Sequence, residues 1–106
     1  MPKALIAVRA EVPAAERARF DEWYKTDHLP WALRAFPGAR RAWRCWDRDD
    51  TGVHIAYYEF DSLAEAEAAV TVPDVIQPLV ADFDRVWGDR VPRRRTILEV
   101  AQELAA

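Results

Sequence analysis

The side chains between residues 23 and 31 are the strongest candidates for chemistry in this sequence. Trp23, Tyr24 and His28 recur at helical spacing and would share one helix face, and Trp31 follows three residues later. An imidazole with an ordinary pKa of about 6.5 can give or take a proton near neutral pH. Tyr24 could donate a hydrogen bond to a substrate oxygen. The pattern predicts that His28 and Tyr24 are catalytic and that Trp23 and Trp31 wall a substrate pocket.

The same residues also have a structural interpretation, which the sequence leaves open. His28 would then cap the end of its helix by bonding a free carbonyl or Asp27. In the catalytic interpretation, the helix dipole at that position would stabilise an imidazolium by roughly 0.3–1 kcal/mol. Tyr24 would be a core residue with its hydroxyl at the rim, and the two tryptophans would serve packing alone.

A predicted strand over residues 53–60 supplies two further substrate-binding candidates. His54 and Tyr58 lie four residues apart and so share one face of this strand. They could point into one cavity, although the position of His54 near a hairpin turn predicts that it is exposed. Cys45 has no evident activating partner and is predicted to be a buried structural thiol.

The composition excludes several other kinds of site. The chain has 106 residues, with one cysteine, two histidines and three glycines. A zinc site needs three or four well-spaced His, Cys or acidic ligands, and this spacing is missing. Three glycines do not make a phosphate-binding loop, and the single serine, Ser62, stands at a predicted helix cap. An enzyme of this composition would work without a metal or another cofactor.

The elements that must position these residues alternate between strands and helices. Residues 4–10 are predicted to form a strand, and residues 14–27 a helix that ends near His28, because Pro30 disfavours helical geometry at Leu29. A short segment follows from Pro30 to Pro37-Gly38, and then two strands at 39–48 and 53–60 on either side of a turn at 49–52. A capping box at Ser62–Glu65 opens the next helix, which resumes after Pro73 and continues up to Gly88. A last strand is predicted at 94–100.

This β-α-β-β-α-β order predicts a single α+β domain over residues 1–106, a ferredoxin-like sandwich with helices on one face of a four-stranded sheet. The aromatic residues of the hairpin, among them Trp43, Trp46, Tyr57 and Tyr58, are too many for one sheet face. A second copy of the chain covering the open face would solve this, so we expect a homodimer. Four charged residues could pair in the space between the two sheets: Arg9, Glu59, Arg95 and Glu99.

Charge and hydropathy argue against two classes of partner. Basic stretches at 40–44 and 93–95 could track a phosphate backbone, and RNA-recognition motifs share the element order. However, the predicted strand at 53–60 lacks glycine, and 15 basic against 18 acidic residues give a net charge of −3. No apolar run approaches the ~20 residues of a membrane span, and the first ten residues are too short and charged for a signal peptide. We expect a cytoplasmic protein that binds neither nucleic acid nor membrane.

One segment resembles a known family. The run from Phe20 to Pro30 matches the F-x-x-W-Y-x-x-x-H-x-P signature of EthD-like proteins, which belong to the dimeric α/β-barrel superfamily. The likeness extends to Pro37-Gly38 and to residues 58–60, and its specific part is residues 23–30. It implies two ferredoxin-like subunits whose sheets close into one barrel, with a cavity between sheet and helices in each. Superfamily relatives include polyketide cyclases, small monooxygenases, lactone isomerases and haem-degrading enzymes.

Two functional hypotheses follow, and a third is borrowed from the resemblance. The first is a cofactor-independent enzyme, a cyclase, isomerase or monooxygenase, acting on a small hydrophobic oxygenated molecule. In it His28 moves the proton while Tyr24 or Tyr58 polarises a carbonyl or phenol. The second is a non-catalytic dimer that binds a hydrophobic metabolite in the same cavity. The third, taken from the haem-degrading relatives, makes His28 an axial haem ligand.

Overall fold

The computed structural model of the chain describes residues 2–106, and within them the predicted β-α-β-β-α-β order is confirmed. The strands are β1 (Ala4–Glu11), β2 (Arg41–Trp46), β3 (Val53–Phe60) and β4 (Arg93–Glu99). The helices are α1 (Arg17–Trp23), α2 (Leu29–Ala35), α3 (Leu63–Thr71) and α4 (Pro73–Val86), with a π-helical segment (Tyr24–His28) between α1 and α2 and 3-10 turns at Ala14–Glu16 and Gly88–Arg90.

The four strands form one antiparallel sheet in the order β2-β3-β1-β4. Residues directly opposite each other share a face, so Ile6, Tyr58 and Ile97 lie on the same side. Ile6, Tyr58 and the other side chains that point to this side from β1 and β3 are buried. This side of the sheet therefore packs against the helices. The chain therefore has the ferredoxin-like α+β sandwich that its sequence predicts.

The helical run from α1 to α2 differs from the prediction. The first helix does not end near His28 but continues through Leu29 and Pro30 into α2. The N–H of Leu29 bonds the carbonyl of Tyr24, five residues back, which widens the helix by one residue at this turn. A proline has no N–H to donate to the carbonyl of the fourth residue before it, and its ring crowds that carbonyl. The wider register accommodates Pro30 without ending the helix.

Phe20 lies at the centre of an aromatic core between helices and sheet. It is fully buried, and the rings of Trp87 and Tyr24 lie 5.2 Å from its own, centroid to centroid. His54 from β3 meets its edge at 5.0 Å. Buried aromatic rings contribute large apolar contact areas with fixed geometry. This cluster holds α1 and the π segment in a defined position above the sheet.

The helix and strand limits have identifiable local causes. The Ser62–Glu65 cap is confirmed, since the Ser62 hydroxyl accepts a hydrogen bond from the Glu65 N–H at 3.2 Å. Gly88 ends the last helix as predicted, with a φ of 54° that favours glycine. Strand β2 is shorter than predicted because Asp47 already begins the turn, where its carboxylate accepts the N–H groups of Asp49 and Asp50.

The second face of the sheet carries no helix. Trp43 and Tyr57 stack on it at 5.6 Å, and Arg41 binds the Glu59 carboxylate at 2.9 Å beside them. Cys45 also lies on this face, and it is exposed, so the prediction of a buried thiol is wrong. Arg95 and Glu99 do not join this face, because they lie opposite Val8 and Ala4 on the helix side.

None of the helices within residues 2–106 has the length and the apolar character of a membrane span.

Candidate functional site

The π segment places His28 under the helices rather than at a free helix end. The residue is only 6% exposed, and its ring stacks on the Trp23 indole, with ring centroids 4.5 Å apart and planes 19° from parallel. Trp31 and Phe83 meet the imidazole edge-on, each at 6.1 Å. Three aromatic rings therefore fix the orientation of this histidine.

A small cavity of about 50 Å³ opens between the sheet and the helices beside His28. This volume corresponds to about four water molecules, which is close to the size of one aromatic ring. Tyr24, His28 and Tyr58 contribute polar groups to its wall. The other lining residues are apolar side chains and two arginines: Ile6, Val8, Ala32, Phe36, Ile76, Leu79, Val80, Phe83, Arg93 and Arg95.

Burial determines the protonation state of His28. It lowers the pKa of the imidazole to about 4, against a smaller opposing effect of the Asp82 carboxylate, whose Oδ2 lies 3.8 Å from Nδ1. Nδ1 has no hydrogen-bond partner among residues 2–106. Because the helix continues past His28, no helix C-terminus lies there to stabilise an imidazolium. At neutral pH His28 is neutral and can accept a proton.

Tyr24 and Tyr58 bring two phenol groups to the same cavity. Burial raises the pKa of Tyr24 to about 12 and the pKa of Tyr58 well above its usual range. The interaction with Tyr24 adds to the effect of burial in raising the pKa of Tyr58. Both remain protonated at physiological pH, and each can donate a hydrogen bond to a ligand oxygen.

Three of the candidate substrate-binding residues do not reach the cavity wall. Trp23 and Trp31 pack around His28 instead. His54 is fully buried, so the prediction that it is exposed is wrong. Its ring lies 4.6 Å from Tyr24, and its Nε2 lies 3.5 Å from an Arg44 nitrogen. His54 is buried although the hairpin turn ends only one residue earlier, because α1 covers that end of the sheet.

Three further residues belong to the site but were not singled out from the sequence. Asp82 lies beside His28, and Arg93 and Arg95 line the cavity. The sequence does contain an indication for Asp82, because it lies on the same helix face as the apolar residues Val75 and Leu79, at successive spacings of four and three. A charge at such a position needs a partner. The arginines carry no comparable signal, because the sequence does not define which face of β4 is covered.

The arrangement as it stands does not fit haem. The cavity is several-fold smaller than the space that a cofactor of that size occupies. Among residues 2–106, no three His, Cys, Asp or Glu side chains converge as a metal site would require.

No protein-family model and no curated protein matches this chain in sequence. Solved structures match it over nearly its whole length. SnoaB, a cofactor-independent oxygenase from Streptomyces nogalater, aligns with a TM-score of 0.69 at 15% identity, over 100% of both chains. The chain shares this fold.

Two further structures agree. An EthD family protein from Bacillus halodurans aligns with a TM-score of 0.67 at 22% identity, over 98% of this chain and 100% of that one. A dimeric ferredoxin-like protein from an uncultured marine organism aligns at 0.63 and 14%, over 98% and 100%. The ferredoxin-like fold implied by the EthD-like resemblance is thus confirmed. At these identities the likeness concerns the fold, and activity must be argued from the site itself.

Proposed function

We propose that this chain is a cofactor-independent enzyme that removes a proton from a small hydrophobic oxygenated molecule. The observation that carries the proposal is that His28 lines an apolar cavity while the Asp82 carboxylate lies 3.8 Å from its Nδ1. With Nδ1 turned toward the carboxylate, Nε2 is the nitrogen left to accept the proton. The Asp82 carboxylate then stabilises the imidazolium that forms.

The proposed step is a proton transfer from carbon next to a carbonyl group. The C–H bond breaks, the proton goes to Nε2 of His28, and the electron pair moves onto the substrate oxygen as an enolate. The neutral hydroxyls of Tyr24 and Tyr58 would donate hydrogen bonds to this oxygen, whose negative charge develops in the transition state. The apolar wall keeps water away and so strengthens these interactions.

Three outcomes of the enolate suit such a site: cyclisation, isomerisation, or reaction with O₂. In the last, a CH₂ group becomes a carbonyl, one oxygen atom enters the product and the other leaves as water. The shared fold with SnoaB, described as a cofactor-independent oxygenase, favours this outcome.

Deuterium exchange at the acidic C–H of phenylacetone in D₂O tests the proton-transfer step without knowledge of the natural substrate. We expect the protein to accelerate exchange, and His28→Gln to lower the accelerated rate by about 10²–10⁴-fold, the usual contribution of a general base. His54→Gln is the matched control, since this second buried histidine lies outside the cavity wall. Exchange that survives in a folded His28→Gln protein would refute the catalytic role.

A non-catalytic binding protein is the second candidate function. The observation in its favour is the low pKa of His28, about 4, which makes the imidazole a weak base. In this case the protein would bind phenylacetone without accelerating exchange, and His28→Gln would alter the affinity alone.

We also propose that two copies associate through the helix-free sheet face. Leu98 is 44% exposed there, opposite Leu5, and the Trp43–Tyr57 stack continues the apolar surface. Exposed apolar surface of this kind is typical of an interaction site. The similarity to a dimeric ferredoxin-like protein supports a homodimer.

A further inference from the structure

The cavity has an unusual charge balance for an acidic protein. The chain carries 15 basic against 18 acidic residues, yet the cavity wall contains Arg93 and Arg95 and no Asp or Glu. Positive side chains on the wall of a largely apolar pocket are typical of a site that binds an anion.

Arg93 is the better anchored of the two arginines. Its guanidinium carbon lies 3.8 Å from the centre of the Phe83 ring, and one nitrogen lies 3.4 Å from the Asp84 carboxylate. Stacking and ion pairing hold this side chain beside the cavity. Its charge also acts on the site, because it opposes protonation of His28.

Arg95 is exposed, and its guanidinium group forms no ion pair with the described residues. Among residues 2–106, no carboxylate lies within 4.0 Å of its guanidinium. It follows Arg93 by two residues on β4, so both side chains leave the same sheet face, about 6.6 Å apart along the strand. Two arginines on one strand face, two residues apart, can turn their long side chains toward the same carboxylate.

We propose that the natural ligand carries a carboxylate, which Arg95 and Arg93 bind at the cavity mouth while a single hydrophobic ring fills the interior. The volume of about 50 Å³ suits one ring. This inference deepens the proposed function, since it takes the same cavity as the substrate site and names the class of substrate: small aromatic carboxylates.

Benzoate and its neutral isostere benzamide test the charge requirement. We expect NMR titration to show benzoate binding about ten-fold or more tightly than benzamide, because hydrogen bonds to a charged group are stronger than neutral ones. Arg95→Gln should weaken benzoate binding by about ten-fold and leave benzamide unchanged. Arg94→Gln is the matched control, since it removes the same charge from the opposite face of the same strand.

Three results would overturn the proposal. These are equal affinity for the two probes, equal loss in Arg94→Gln and Arg95→Gln, and no binding of benzoate at tens of millimolar. The ring signals of His28 in the same titration separate this proposal from the catalytic one. Equal shifts with both probes would refute the charge requirement alone. Arg95-dependent binding of benzoate that leaves the His28 signals unchanged would count against the catalytic role instead.

Discussion

At the scale of single residues, the two histidines are both enclosed by the fold and both neutral at physiological pH. Burial lowers the pKa of each to about 4, against an unfolded value near 6.5. His28 faces Asp82 and Arg93, whereas His54 faces Arg44 and Asp21. Each imidazole therefore binds a proton more weakly in the folded protein than in the unfolded chain.

This difference predicts a loss of stability in mild acid. Between pH 6.5 and about 4 the unfolded state binds more protons than the folded state, so the free energy of unfolding falls as pH falls. From pH 7.5 to pH 5 the upper limit is about 2 kcal/mol per histidine. Urea denaturation at the two pH values measures it. His28→Gln and His54→Gln should each remove part of the pH-dependent loss.

The readout is the difference between the two pH values within each variant, because either substitution also changes the stability at pH 7.5. If the wild-type protein were equally stable at pH 5 and pH 7.5, the prediction would be wrong, because folding would then not lower the pKa of the two imidazoles. Ser62→Ala, which removes no titratable group, is a control that should keep the full loss.

At the scale of elements, the π segment and the capped helix α3 position the site from two sides. The π turn places Tyr24 and His28 at the cavity just before Pro30, where a regular helix would have ended. Single π turns of this kind are frequent at functional sites. Helix α3 starts at Ser62 directly after β3 and leads through a break at Val72 into α4, which carries Asp82.

The cap of α3 gives a prediction for this scale. Ser62→Ala removes the side-chain acceptor of the Glu65 N–H and should lower the free energy of unfolding by about 1 kcal/mol. Urea denaturation at pH 7.5 measures the change, and Ser62→Asn should restore most of it because asparagine is an equally good cap. An alanine variant as stable as the wild type would show that the cap contributes nothing.

At the scale of the whole molecule, the two sheet faces serve different purposes. One face packs on the helices and encloses the cavity, and the other presents the Trp43–Tyr57 stack and Leu98 without cover. The proposed homodimer would bury this second face and leave the mouth of the cavity on the helix side.

Sedimentation velocity tests the homodimer. We expect wild-type protein to sediment as a dimer and Leu98→Glu to sediment as a monomer, since a buried unpaired carboxylate opposes association. Leu104→Glu makes the same change at a residue that is 82% exposed in the C-terminal segment, outside the sheet, and should remain dimeric. A monomeric wild type, or a dimeric Leu98→Glu variant, would contradict the proposal.

The sequence by itself determined the element order, the ferredoxin-like class and the Ser62 cap, because these depend on local periodicity and capping chemistry. It also brought forward Tyr24, His28 and Tyr58, which line one cavity. Only the tertiary structure decided the protonation of His28, the burial of His54 and the place of Arg95. Burial and neighbouring charges come from residues distant in sequence, such as Asp82 beside His28, and local patterns carry no information on them.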